Sequence, residues 1–420
     1  MVVYEGAKEV SLAADHHDSA AVQHLDRLDA RLRRRSIHLH DILIGMKIVL
    51  IGPYPPPYGG MAVQIQEWHL HLIERYECEC VVLNIGESRR ERLDGCVQVF
   101  SYVDFIRKLY SLGRQGYLFH LVTTGHSFKS WLSGLVCALS GMTNGFRSLL
   151  VFGSGDAPIY LRNANMLVIS LVRVTMGLAG HVICRNEEMR ATLISVGANP
   201  SKITILPGFL GVQSRSDMPL PPSVQQFIDS HNPILGATVY VPKTGVVYPE
   251  YGLELIAAAI QDLRKVHPNI GVILMGPGAE AEAQIKDADR LSGHLCYSGP
   301  LSHDLVLNTM KQLTVFVRPT YTDGDSISVR EALALRVPVV ASDAAYRPQG
   351  VLRFTAGNAD DFVKKLLRVL GDPSAATEDA AIFDGSDNAT RLFNIYTELN
   401  QSVGFSRNAR AVATKGASHE

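Results

Sequence analysis

One stretch of the sequence combines acidic residues, an arginine and a glycine-containing loop at a spacing that suits the binding of a phosphorylated ligand. It runs from Arg318 to Asp343 as RPTYTDGDSISVREALALRVPVVASD. The pattern predicts a buried strand, a polar loop, a short helix and a second buried strand. Backbone N–H groups at the start of such a helix favour a phosphate or diphosphate, and Arg318 would add further donors. Glu331, farther along the helix, could accept hydrogen bonds from two sugar hydroxyls of a nucleotide.

The same stretch also permits a purely structural interpretation. Ser328 and Glu331 have the spacing of a helix capping box, in which the glutamate bonds a backbone N–H and no ligand is needed. Asp323, Gly324 and Asp325 are ordinary turn residues. The helix by itself therefore favours the structural interpretation, and only the complete string favours a ligand site.

Two series of alternating strands and helices must position this stretch. The first opens at Met46 with the strand MKIVLIG and a PYPPPYGG loop ending in Gly59 and Gly60, and the second opens near residue 233 with NPILGATVYVP. Such alternation predicts an α/β protein with two mainly parallel sheets, whose ligands bind at the carboxyl ends of strands. Gly59 and Gly60 would let a diphosphate approach the backbone closely. Residues 166–183 predict a helix and then a strand, and they are too short and too interrupted for a membrane span.

Composition and charge narrow the class of partner. With 420 residues, a formal net charge of −1 and a pI near 6.9, the chain has room for two domains and lacks the basic character of a nucleic-acid-binding protein. The six scattered cysteines predict reduced, buried thiols in a cytoplasmic protein. Residues 1–45 carry a basic cluster but no secretory signal, so a flexible extension and a peripheral contact with a membrane surface both stay open.

The complete string resembles a motif of the retaining glycosyltransferases of family 4, which have the GT-B fold. The resemblance rests on Asp323, seven residues, Glu331-Ala-Leu and the following strand PVVASD, together with the PPxxGG loop that holds Gly59 and Gly60. The string DGDSxSVREAL is similar to that of bacterial exopolysaccharide and capsule enzymes. From about Met46 to about Gln401, the resemblance implies two Rossmann-like domains separated by a deep interdomain cleft.

The resemblance also implies a division of the chain. Its segments are an N-terminal extension at 1–45, an acceptor domain at 46–212, a linker at 213–232, a nucleotide-sugar domain at 233–385, a helix at 386–402 that packs back on the first domain, and a tail at 403–420.

The resemblance implies a role for each residue of the motif. Glu331 would bind the ribose, Asp323 the hydroxyls of the donor sugar, and the backbone amides from Gly324 to Ile327 the diphosphate. The residues implied for donor binding are Gly59, Gly60, Lys243, Arg318, Gly324, Asp325, Ser326, Ile327 and Glu331. No metal or other cofactor is implied, because amides and side-chain cations would replace a metal, and the departing phosphate could accept the proton of the acceptor.

The sequence departs from the family pattern at three places, the first of which is Asp323 in place of the family's glutamate, with a side chain shorter by one methylene. Relatives carry a histidine where this chain has Gly153, and either His126 or His120 could take its role or be a hydrogen-bonded wall residue. With Asp323 and Glu331, His126 completes the candidate catalytic set. The family's arginine and lysine near the diphosphate are also missing, which leaves Lys243 and Arg318 as the available cations.

The function implied is transfer of a sugar from a UDP- or GDP-sugar to a saccharide or lipid-linked saccharide, with retention at the anomeric carbon. The implied setting is exopolysaccharide, capsule or lipopolysaccharide synthesis in the cytoplasm, including the inner face of the membrane. Two alternatives stay open: an inactive nucleotide-sugar-binding scaffold or sensor, and a GT-B nucleotide-sugar epimerase. The sequence leaves the donor base and the oligomeric state undefined.

Overall fold

Two parallel β-sheets, each with its own helices, make up the protein. The computed structural model describes residues 45–143, 145, 148–212, 218–240, 249–276, 293–383 and 388–401. The predicted extension 1–45, apart from Gly45, and the tail 403–420 lie outside the described residues. The predicted alternation of strands and helices is confirmed in both halves of the chain.

The first sheet has seven strands in the order β3-β2-β1-β4-β5-β6-β7. Its strands are β1 (Lys47–Gly52), β2 (Glu79–Asn84), β3 (Cys96–Val97), β4 (Leu118–Thr123), β5 (Ser148–Phe152), β6 (His181–Cys184) and β7 (Ile203–Ile205). The helices of this half are α1 (Gly60–Tyr76), α2 (Tyr102–Arg114), α3 (Phe128–Met142), α4 (Ala157–Arg162), α5 (Met166–Leu178) and α6 (Glu187–Ser195). Residues 166–183 are therefore helix followed by strand, as predicted.

The second sheet has six strands in the order β10-β9-β8-β11-β12-β13. Its strands are β8 (Ile234–Thr238), β9 (Gly271–Met275), β10 (Leu295–Tyr297), β11 (Val315–Arg318), β12 (Val339–Ser342) and β13 (Val351–Phe354). The helices of this half are α7 (Pro222–Ser230), α8 (Leu253–Leu263), α9 (His303–Met310), α10 (Ile327–Ala334), α11 (Ala359–Gly371) and α12 (Pro373–Ala381). Residues 388–401 form a last helix, α13.

The strand order reverses next to the two loops that the sequence singled out. In the first sheet β1 lies between β2 and β4, and in the second sheet β11 lies between β8 and β12. Parallel sheets bind ligands beside such reversals, where the connections diverge to opposite faces. β1 leads into the loop that ends at Gly60, and β11 leads into the loop before Ile327. The topology therefore places each loop at the carboxyl edge of its own sheet.

Each sheet is covered on both faces by apolar side chains. The central strand β1 has a continuous apolar run because both of its faces are covered, and Ile48 to Ile51 are all fully buried. On one face of the first sheet, α1 and α13 meet in a single core cluster that includes Trp68, Leu72, Phe393 and Tyr396. Helix α13, which follows the second domain in the sequence, therefore completes the core of the first domain. Within the described ranges, no helix has the length and apolar character to cross a membrane.

Candidate active site

The loop after β11 meets the first domain through direct contact between backbones. A β-carbon added at Gly155 would overlap the carbonyl oxygen of Asp323, and one added at Gly324 would overlap the carbonyl oxygen of Gly153. Only glycine permits such an approach without displacing a neighbour. Beside it, Thr322 Oγ1 donates a hydrogen bond to Asp156 Oδ1 at 2.9 Å. The two domains are thus in contact at the centre of the predicted motif.

The glycine loop of the first domain lies at the same junction between the domains as Asp323 and Gly324. Gly59 is the residue before α1, and a β-carbon there would lie 2.8 Å from the ring of Tyr240 in the second domain. A β-carbon at Gly153 would lie 3.7 Å from Met61 Sδ, so Gly153 stands between the start of α1 and the loop at Gly324. Gly59 and the loop at Asp323 and Gly324 therefore lie where the two domains meet, and we refer to this junction as the interdomain crevice.

Asp323 is held inside a cluster of cations. Arg347 Nη1 lies 2.9 Å and Arg318 Nε 3.1 Å from Asp323 Oδ2, and the Asp323 side chain is 11% exposed. Burial alone would raise the pKa of this carboxyl, but the charges of Arg318 and Arg347 outweigh burial and lower it to about 2. The carboxylate is therefore ionised and stabilises the loop on which it stands. Arg347 was not among the predicted residues.

The guanidinium of Arg318 is less available to a ligand than the sequence predicted. Its Nε and Nη2 atoms donate to Asp323, and its Nη1 donates to the carbonyl oxygen of Thr238 at 3.1 Å. The guanidinium carbon lies 5.1 Å from the centroid of the Tyr251 ring. All three nitrogen atoms of the guanidinium are thus engaged by the protein, so Arg318 serves the charge of the site mainly by neutralising Asp323.

The helix α10 starts earlier than the capping-box interpretation requires. Ser326 is the N-cap residue, and its hydroxyl accepts a hydrogen bond from the N–H of Val329. Ser328 Oγ instead accepts a hydrogen bond from Thr238 Oγ1 at 2.9 Å. The proposed box between Ser328 and Glu331 is therefore wrong, because Glu331 lies beyond the first turn. The N–H groups of Ile327 and Ser328 stand in that first turn, where a helix supplies no acceptor of its own.

Asp325 contributes its side chain to the fold of the loop. Arg330 Nε donates to Asp325 Oδ1 at 2.7 Å, and the Asp325 side chain is 1% exposed. The N–H of Gly208, in the first domain, approaches Asp325 Oδ2 at 3.4 Å. Such a buried pair fixes the loop between Asp323 and α10, and it leaves the backbone amides as the part of this segment suited to a ligand.

Glu331 faces a histidine that the sequence did not single out. His303 Nε2 lies 2.6 Å from Glu331 Oε1, and His303 Nδ1 lies 3.0 Å from Oε1 of Glu67 in the first domain. Burial alone would lower the pKa of His303, but Glu331 and Glu67 outweigh burial and raise it to about 10. The histidine is thus an imidazolium that joins two carboxylates across the interdomain crevice.

The two candidate histidines lie in different environments. His126 is exposed in the loop after β4, with Nδ1 2.9 Å from Ser154 Oγ next to Gly153. His120 is fully buried, lies 2.5 Å from the hydroxyl of Tyr396, and has its pKa lowered well below the ordinary value by burial and then by Arg185. His120 is therefore a core residue, and of the two only His126 stands at the crevice. Lys243 lies outside the described residues.

A family model matches the part of the chain that contains this loop. Residues 240–372 match the model described as glycosyl transferases group 1, which is about a third of the chain. The chain carries a glycosyltransferase group 1 domain. That glycosyltransferase domain includes β11, α10 and both acids of the predicted motif, while the glycine loop at residue 60 lies outside the matched residues.

Curated relatives of the chain are glycosyltransferases by name. It is 23% identical over 261 residues to the gpi3 subunit of phosphatidylinositol N-acetylglucosaminyltransferase from Schizosaccharomyces pombe, covering 60% of this chain and 53% of that protein. It is 22% identical over 316 residues to a subunit of the human phosphatidylinositol N-acetylglucosaminyltransferase, covering 70% of this chain and 61% of that protein. The matches therefore span a little over half the length of these relatives.

Solved structures confirm the predicted GT-B fold. Sucrose-phosphate synthase from Thermosynechococcus elongatus superposes with a TM-score of 0.60 at 16% identity, covering 88% of this chain and all of that one. The trehalose-6-phosphate synthase OtsA gives a TM-score of 0.55 at 13% identity, covering 86% and 98%. Two parallel-sheet α/β domains in the GT-B arrangement are thus present. Among the described residues, no cluster of histidine, cysteine and acidic side chains is arranged to hold a metal ion.

Proposed function

We propose that the protein is a retaining family 4 glycosyltransferase, which moves a sugar from a UDP- or GDP-sugar to a saccharide or lipid-linked saccharide. One observation carries the proposal: the acidic motif of the glycosyltransferase domain stands at the interdomain crevice, against the glycine loops of the first domain. The side chain of Glu331 and the first-turn amides of α10 offer acceptors for ribose and donors for diphosphate within one short segment.

The proposed chemistry assigns most of the charge stabilisation to backbone groups and to the cationic cluster. Arg318 and Arg347 exceed the single charge of Asp323, so this cluster retains one positive charge near the donor. That charge and the amides of α10 would stabilise the departing diphosphate, as electrostatic catalysis requires. The leaving phosphate would take the acceptor proton, so the mechanism needs neither a protein base nor a metal. His126 stands at the crevice as the candidate contact to the transferred sugar.

A lipid-linked acceptor is supported by a second feature, the outer surface of helices α2, α3 and α5. These helices cover one face of the first sheet, and α3 packs between the other two. Their exposed apolar side chains are Tyr102, Val103, Ile106, Tyr110, Phe128, Leu139, Met142, Met166, Leu167 and Val174. The same helices carry five basic residues, Arg107, Lys108, Arg114, Lys129 and Arg173, and one acid, Asp104.

A basic surface with exposed apolar side chains fits an anionic membrane. The names of the curated relatives, which act on phosphatidylinositol, support a lipid acceptor in the same way. We therefore place the protein in the cytoplasm with this surface on the inner face of the membrane. The motif DGDSxSVREAL supports a role in exopolysaccharide, capsule or lipopolysaccharide synthesis.

The test is release of free nucleotide from UDP- and GDP-sugars by the purified protein, with membrane lipids as acceptor source. Loss of hydrogen bonds from ribose to a charged acceptor should make Glu331→Ala about ten- to a hundredfold slower in kcat/KM. Retention is read from the anomeric configuration of the product by NMR. Nucleotide binding without turnover would overturn the proposal in favour of a scaffold, and conversion of the free nucleotide-sugar into its epimer would identify an epimerase.

A further inference from the structure

The histidine between the two domains is the group whose position the proposed function leaves unexplained. His303 contacts Glu331 of α10 with one ring nitrogen and Glu67 of α1 with the other, and its side chain is 10% exposed. Each nitrogen faces a carboxylate oxygen, which has no hydrogen to donate when ionised. With both carboxyl groups ionised, both nitrogens carry hydrogen and the ring is charged.

The local structure of α9 gives no reason for a cation at this place. His303 is the first residue of the helix, directly after the N-cap Ser302. Positive charge at a helix N-terminus is unfavourable, because the partial charge there is also positive. The two carboxylates must therefore outweigh the helix in stabilising the imidazolium. We infer that the contact serves those carboxylates rather than α9.

The contact engages only one of the two oxygen atoms of Glu331. Oε1 receives His303, whereas Oε2 has no hydrogen-bond partner within the described ranges of the chain. A glutamate carboxylate rotates readily about its last bond. Fixing one oxygen with a charged donor holds the plane of the group and aims the other oxygen. Glu331 is thus oriented as an acceptor for a sugar hydroxyl.

The second contact of His303 makes this orientation depend on the other domain. Glu67 belongs to α1, the helix that begins at the glycine loop of the crevice. When the domains separate, His303 loses one of its two carboxylates and the constraint on Glu331 is weakened. Glu67 and His303 therefore connect the closed arrangement of the domains to the geometry of one acceptor group.

We propose that His303 is a positioning residue of the donor site, which aims Glu331 at the ribose and, through Glu67, makes ribose recognition depend on domain closure. The proposal rests on the proposed function, because it assigns Glu331 to the ribose. A positioning role differs from a merely structural role in its effect on nucleotide preference. A structural contact would alter affinity for every nucleotide alike, whereas a positioning contact alters the preference for ribose over deoxyribose.

The experiment measures the affinities of UDP, GDP and their 2′-deoxy forms by calorimetry with the full chain. Wild type should prefer the ribonucleotide of its base by about tenfold, the scale of one hydrogen bond to a charged acceptor. Glu331→Ala should abolish the preference. His303→Ala should reduce it at least threefold, while His303→Gln, which keeps one donor, should retain more of it. Glu67→Gln should reduce the preference without touching Glu331, and Glu74→Gln, on the exposed side of the same helix, is the matched control.

The outcomes separate the two proposals. A preference that disappears in Glu331→Ala but is unchanged in both His303 variants and in Glu67→Gln overturns this inference and leaves the proposed function standing. Failure of wild type to bind any of the four nucleotides overturns the proposed function and the inference together. The ratio of affinities is informative even where a variant is less stable, because both nucleotides are measured on the same preparation.

Discussion

At the scale of single residues, the decisive feature is a carboxylate whose charge is neutralised within the protein. Asp323 lies between Arg318 and Arg347, and all three side chains are largely buried. Removing one member of such a group leaves buried charge without its counterpart, which costs more than an exposed ion pair gains. Asp323 should therefore matter to stability as well as to any role beside the donor sugar.

We expect Asp323→Ala to lower the free energy of unfolding by about 3 kcal/mol, since it leaves two buried guanidinium groups facing each other. Chemical denaturation of the variant and wild type measures this difference. Asp94→Ala removes an exposed aspartate and is the control, with an expected effect within about 0.5 kcal/mol. Equal losses in the two variants would contradict the buried cluster.

The imidazolium of His303 makes a pH dependence of stability predictable. Its pKa in the folded protein is about 10, above the ordinary value of 6.5. A raised pKa stabilises the folded state fully below about pH 6.5, and this stabilisation is lost as the pH rises through about 10. The stability advantage of wild type over His303→Gln should therefore shrink steadily across that range in urea titrations. A constant difference would show that the ring is neutral.

The sequence pointed to Asp323 and Glu331 as site residues. It did not point to the residues that contact them, and this omission has a physical explanation. Asp323 and Glu331 belong to one short segment, so their spacing was visible. His303 and Arg347 reach them from other segments of the chain, and Glu67 reaches His303 from the other domain. Nothing in the local pattern of those three residues distinguishes them from ordinary surface side chains. Contacts of this kind become visible only once strand order and domain closure are known.

At the scale of elements, the loops that join strands to helices determine how closely the domains approach. Gly155 and Gly324 lack the side chains that would separate the two backbones. Gly153, which stands where the family pattern has a histidine, contributes only its carbonyl oxygen to this approach, since a β-carbon there would have Met61 and Thr123 of the first domain as its nearest neighbours. The approach joins segments far apart in the sequence, so the local pattern around Gly153 could not predict it.

A methyl group at Gly155 should hold the domains apart. We expect Gly155→Ala to overlap the backbone at Asp323 and to enlarge the radius of gyration in small-angle X-ray scattering. Gly177→Ala is the matched control: it lies in α5, where an added β-carbon meets no atom within 4 Å, and should leave the radius unchanged. An unchanged radius in both variants would mean that the loops separate without moving the domains.

Most strands and helices were predictable because their buried residues form regular apolar patterns in the sequence. β1 is apolar from Ile48 to Ile51 since both of its faces are covered, and α5 and β6 could be told apart at the glycine-containing turn between them. The start of α10 was misplaced, because Ser326 and Ser328 are equally good capping residues and tertiary contacts decide between them. Ser328 is engaged by Thr238 of the neighbouring strand, which leaves the cap to Ser326.

At the scale of the whole molecule, helix α13 packs a late segment of the sequence against the first domain. Leu392, Phe393 and Tyr396 of α13 are fully buried in the core cluster of the first domain. The centroid of the Phe393 ring lies 4.3 Å from the centroid of the Tyr76 ring at the end of α1. Two parallel-sheet domains were predictable from the two series of strands and the GT-B arrangement from the family resemblance, whereas these side-chain contacts between distant segments were not.

Removing the Tyr396 ring should destabilise the first domain rather than the second. We expect Tyr396→Ala to lower the free energy of unfolding by about 3–5 kcal/mol, as for other large aromatic residues in cores. Hydrogen exchange followed by mass spectrometry should locate the loss of protection in β1, β4 and α1. Tyr110→Ala, at an exposed tyrosine of α2, is the control. Loss of protection confined to the second sheet would contradict the packing described here.

The position of α13 has a consequence for how the protein is made. Ribosomes build the first sheet early, yet one wall of its interior consists of residues 388–401. Domains usually complete their folding in the order of synthesis. Here the first domain must wait, with Trp68 and Leu72 incompletely covered, until residues 388–401 have left the exit tunnel.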